Sequence, residues 1–157
     1  MINEMEKDVA RVLISEEQIR QRVKEMGAQI SEDYAGQDVV LLCILKGAVQ
    51  FFSDLSRQMT CNLEMDFMSI SSYGNGTRTS GIVRISKDMD LSITGRHVLI
   101  VEDIMDSGLT LNHLTNILKT RQPASLRIAC LPKRCIKKAE IFGFRLSCRM
   151  FHRGFPF

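Results

Sequence analysis

The chain has 157 residues, a size that fits one domain and buries roughly 68–70% of the unfolded surface, so a core forms without disulfide staples. With 45% hydrophobic and 25% charged residues, 10 Gly and 3 Pro, the composition excludes disorder and collagen-like repeats, and no apolar run reaches the ~18 residues of a membrane span. A net charge of +3 does not argue for nucleic acid as a partner, and five cysteines, an odd number, read as reduced thiols. The polar amino end, with Glu4, Glu6, Lys7 and Asp8, has no signal-peptide apolar region and points to the cytoplasm.

In chain order, Ser15-Glu16-Glu17-Gln18 is a capping box, and Ile19, Val23, Met26 and Ile30 recur at spacings of three and four, which predicts an amphipathic helix. Val39 to Leu45 is a continuous apolar run of strand length, the pattern of a strand covered on both faces. Lys46-Gly47 ends it. A helix from about Ala48 to Met59 follows, with Val49, Phe52, Leu55 and Met59 on its apolar stripe. Leu63, Met65, Phe67 and Ser69 alternate with Glu64, Asp66 and Met68 as a strand, and Ser71 to Gly81 has loop chemistry throughout, long and polar enough to serve as a lid. Ile82 to Ile85 returns as a strand. His97 to Val101 is the second buried run, Leu111, Leu114, Ile117 and Leu118 mark a helix closed by Pro123, and Ser125 to Leu131 supplies a further strand. Repeated strand, turn and helix units predict an α/β domain with a twisted, mostly parallel sheet flanked by helices, whose ligands sit at the carboxyl ends of the strands.

The stretch Val98-Leu99-Ile100-Val101-Glu102-Asp103-Ile104-Met105-Asp106-Ser107-Gly108-Leu109-Thr110 puts three carboxylates at a strand end and then enters a helix. The first amides of that helix, its positive dipole end and two hydroxyls can hold a phosphate, and Gly108 lets the backbone approach closely. Glu102 and Asp103 can accept hydrogen bonds from vicinal sugar hydroxyls or help hold a hydrated cation. Asp106 stands where it could take a proton.

This stretch resembles the ribose-phosphate signature of the phosphoribosyltransferases. Ile44-Leu45-Lys46-Gly47-Ala48 resembles the pyrophosphate loop, and Ser72-Tyr73-Gly74 the start of the mobile loop, of the hypoxanthine-guanine members. The resemblance runs from about residue 8 to residue 131 within a single domain, 1–157. It implies a purine-salvage enzyme that joins a 6-oxopurine to 5-phosphoribosyl diphosphate with magnesium, forming IMP or GMP and releasing pyrophosphate. By it, Glu102 and Asp103 bind the ribose hydroxyls, partly through the metal, and Asp106 is the general base near purine N7. The run Asp106, Ser107, Gly108, Leu109 and Thr110 cradles the 5′-phosphate, with Leu109 where some relatives have Lys. Lys46 and Gly47 donate to the pyrophosphate, next to a cis peptide before the lysine. Ser72 and Tyr73 close over the diphosphate and exclude water. A homodimer or homotetramer, associating through residues 48–70, is implied as well.

The tail, residues 132–157, departs from this pattern. Lys133 sits at the right distance to be the lysine that reads the purine 6-oxo group, but Cys135 to Phe157 contains no base-stacking segment, so the small hood over the base is altered or incomplete. Codons for Met150 to Phe155, read one nucleotide on, can encode Cys-Phe-Ile-Val-Gly-Phe, which resembles the missing segment and suggests a frameshifted or otherwise altered carboxyl end. Cys130, Cys135, Cys148 and His152 have roughly finger-like zinc spacing. Three other readings stand beside the enzyme: an RNA-binding regulator on the same fold, for which the sequence is short of aromatics, an inactive scaffold that merely dimerises, and an impaired form that binds only the phosphoribosyl part. Adenine or pyrimidine specificity would use the same ribose-phosphate motif.

Overall fold

The computed structural model describes residues 14–72, 83–103 and 108–131. Helix α1 (Glu16–Asp33) opens on the capping box, in which the Gln18 amide donates to Ser15 Oγ at 3.2 Å and the Ser15 amide donates to Gln18 Oε1 at 2.8 Å. Val23, Met26 and Ile30 are buried, whereas Ile19 is 39% exposed. The apolar stripe therefore begins a turn later than its periodicity predicts, because the first turn of α1 overhangs the core. Gly27 lies directly against Gln58, so close that a side chain there would collide with the Gln58 backbone.

Strand β1 (Asp38–Leu45) leads to helix α2 (Val49–Ser56), strand β2 (Asn62–Ser72), strand β3 (Val83–Lys87), strand β4 (His97–Glu102), helix α3 (Leu109–Lys119) and strand β5 (Ser125–Cys130). The sheet order is β3-β2-β1-β4-β5. All pairs are parallel except β2 with β3, which confirms the α/β expectation. Six consecutive residues of β1, Val39 to Ile44, are buried, as a central strand covered on both faces requires. One face packs Val39, Leu41, Cys43, Leu99 and Val101 under α1 and α2. The other packs Val40, Leu42, Ile44, Val98 and Ile100 under Leu114 and Leu118 of α3, together with Met89 and Ile93.

Strand β2 is covered unevenly. Met65 is 51% exposed, while Asp66 is 3% exposed and Met68 is fully buried. The cause is what lies on each face. The segment after β3 folds over Asp66, whose carboxylate accepts the Asp90 and Leu91 amides at 2.8 Å each and the Phe67 amide at 2.7 Å. Helix α2 spans just eight residues and leaves Met65 uncovered.

Candidate functional site

Strands β1 and β4 lie side by side and run parallel, yet the chain leaves β1 toward β2 on one side and β4 toward β5 on the other. Their carboxyl ends therefore frame the crevice of a topological switch point, the place where open α/β sheets bind ligands. Two turns face each other there. After β1 comes a cis Leu45–Lys46 peptide, as the resemblance implies, and then Gly47. Beyond β4 come Glu102 and Asp103, both half-buried.

The turns are in contact. A methyl group at Gly47 would stand 3.2 Å from each carboxylate oxygen of Asp103, so the bare glycine backbone is what lets the acid lie against the loop. Beneath them, the Cys43 thiol is pushed up to about 11, first by burial and then by the negative charge of Glu102 and Asp103. On the other side of β4, Cys130 is the register partner of Glu102, and its Sγ donates to the main-chain oxygen of Asp103 at 3.7 Å.

Gly108 stands before α3 with φ of +73°, a conformation that costs a glycine little and most residues more. Its carbonyl accepts the Asn112 amide at 2.8 Å, which starts the helix, and Thr110 lies half-buried in the first turn. Leu109 opens α3; its side chain lies outside the described set. Ser72 is the last residue of β2 and pairs with Val83 of β3, and β2 runs three residues past the end of its pairing with β1. The strand ends that flank residues 73–82 therefore stand at the same rim of the sheet as the two turns. Tyr73, Asp106, Ser107, Lys133 and the tail 132–157 lie outside the described residues. So do Cys135, Cys148 and His152 of the finger-like set, whereas Cys130 closes β5. Cys43 and the carbonyl contact of Cys130 escaped the sequence reading, since strand register decides what lies beside Glu102 and Asp103 and no periodicity prints it.

A family model described as "Phosphoribosyl transferase domain" matches residues 13–151. The chain belongs to this family. Among its relatives, a hypoxanthine-guanine phosphoribosyltransferase of Streptococcus thermophilus is 47% identical over 127 residues, covering 81% of this chain and 71% of that one. The enzyme of the same name from Bacillus subtilis is 44% identical over 147 residues, covering 90% and 82%. A crystal structure of a hypoxanthine phosphoribosyltransferase from Staphylococcus aureus superposes with a TM-score of 0.78 at 43% identity, covering 81% of this chain and 69% of that one. Among the described residues, no helix is long and apolar enough to cross a membrane.

Proposed function

We propose that the chain is a hypoxanthine-guanine phosphoribosyltransferase of purine salvage, transferring phosphoribosyl from 5-phosphoribosyl diphosphate to N9 of a 6-oxopurine. The observation that carries this reading is the contact of the Lys46-Gly47 turn with the Asp103 carboxylate at the switch point. It sets donors for a diphosphate against acceptors for sugar hydroxyls, the two halves of one substrate.

In this reaction the bond from C1′ to the diphosphate oxygen breaks, a bond from C1′ to purine N9 forms, and pyrophosphate leaves. Glu102 and Asp103 accept the ribose hydroxyls. Lys46 and the Gly47 amide donate to the departing diphosphate, and the run Asp106, Ser107, Gly108, Leu109 and Thr110 holds the 5′-phosphate. Asp106 takes the proton that the purine gives up. Ser72 and Tyr73 exclude water, and Lys133 donates to the 6-oxo group. Residues 8–131 form the working core of a single domain, and residues 132–157 an atypical end.

Magnesium fits the donor set. Glu102 and Asp103 are hard oxygen donors, and Asp103 lies against the Lys46-Gly47 turn. Two carboxylates plus substrate oxygens and water are what this ion ordinarily takes. When bound, it offsets the charge of the diphosphate leaving group. The protein is proposed to act in the cytoplasm as a homodimer or homotetramer associating through residues 48–70, which light scattering tests.

The deciding experiment is turnover of hypoxanthine, guanine, xanthine and adenine with 5-phosphoribosyl diphosphate and magnesium. Release of pyrophosphate with hypoxanthine or guanine is expected; none with any 6-oxopurine would overturn the reading. The Asp106→Asn protein should bind the diphosphate normally and lose about 10²- to 10⁴-fold in kcat, the range for a lost general base.

A further inference from the structure

Asp103 is the first residue beyond β4, where the strand ladder no longer fixes the backbone. Two neighbouring strands reach it there. From the β1 side, Gly47 lies against its carboxylate. From the β5 side, Cys130 ends the strand in register with Glu102, is 3% exposed, and directs its Sγ at the Asp103 carbonyl 3.7 Å away. Sulfur is larger than oxygen and its bonds are longer, so this distance suits an S–H donor to a carbonyl. Cys43, the other thiol at this rim, belongs to the opposite face of the sheet and packs with Leu41 and Val101.

We infer that Cys130 is a positioning residue for the acidic turn: its thiol holds the main-chain carbonyl of Asp103, while Gly47 leaves room for the carboxylate. The inference rests on the phosphoribosyl-transfer reading and deepens it. The thiol touches no substrate. It sets where the Asp103 carboxylate meets the sugar diphosphate, so it governs affinity for that substrate and leaves purine binding alone. A weak donor calls for a modest effect.

The test uses the full chain with Cys130→Ala and Cys130→Val, which lack the donor. Calorimetry gives Kd for 5-phosphoribosyl diphosphate with magnesium, steady-state kinetics give KM for each substrate and kcat, and thermal melting reports the fold. Ala and Val should raise Kd and KM for the diphosphate about two- to fivefold, with kcat and purine KM unchanged. Should the Ala protein not fold, the Val protein, which fills the space, gives the same reading. An unaltered diphosphate Kd without the donor, or equal weakening toward both substrates with a lowered Tm, overturns the inference. A parent chain that binds no diphosphate refutes the phosphoribosyl reading itself. A parent that binds it, with donor-free variants binding equally well, refutes the positioning role alone.

Discussion

A methyl group on Gly47 would meet both Asp103 carboxylate oxygens at 3.2 Å, tighter than side chains normally pack, so one of the two turns has to give by a few tenths of an ångström. Gly47→Ala should raise KM for 5-phosphoribosyl diphosphate about three- to tenfold, or ~0.7–1.4 kcal/mol, with little change in purine KM. Steady-state kinetics check this, and an unchanged KM would mean that the carboxylate moves aside freely. Cys43 gives a prediction in pH. Its thiol ionises near 9 in the unfolded chain and at about 11 in the fold. Above pH 9 the unfolded chain sheds a proton that the native state keeps, so stability falls by up to about 1.4 kcal/mol per pH unit until about pH 11. Urea denaturation without magnesium should show that slope, and Cys43→Ala should reduce it. Lys46, Gly47, Glu102 and Asp103 were singled out in the sequence by their types and order, and the structure brings Gly47 against Asp103. Cys43 and Cys130 were not: they matter through what the parallel register sets beside them.

Element by element, legibility followed how completely each segment is covered. Strand β1, buried on both faces, announced itself as an unbroken apolar run. Strand β2 was legible as a strand but not in its burial, since alternation says which residues share a face and not which face is roofed. Its buried Asp66 became intelligible only with the partners in place: three main-chain amides at 2.7–2.8 Å. Asp66→Ala strands those donors in a covered site and should cost about 3 kcal/mol, read as a lower urea midpoint with an unchanged m-value. The segment it anchors is tied a second time where Arg121, just past α3, makes a two-pronged contact with Asp88 at 2.9 and 2.7 Å. That pairing holds the Asp88 carboxyl below its ordinary range. Exposure screens this outer tie, so the buried Asp66 clamp is the stronger of the two.

Across the whole molecule, the order β3-β2-β1-β4-β5 makes one crevice where the path of the chain reverses, and both chemical turns open into it. A ligand that bridges them stabilises the native state alone. At one hundred times its Kd, 5-phosphoribosyl diphosphate with magnesium should add about 2.7 kcal/mol and raise Tm by about 5–10 °C. Ribose 5-phosphate, which lacks the diphosphate that Lys46 and Gly47 would hold, should shift Tm less at equal concentration. Differential scanning calorimetry separates the two, and identical shifts would remove the turn after β1 from the site.

The two walls of that crevice come from opposite halves of the sequence and are joined by the β1–β4 ladder, Val39 with His97 through Cys43 with Val101. A growing polypeptide that has emerged only as far as β3 owns the lysine turn but has nothing to face it. The crevice has both its walls only where β4 is paired with β1, so retention on a column bearing immobilised sugar phosphate would report that the newly made protein has joined these two strands.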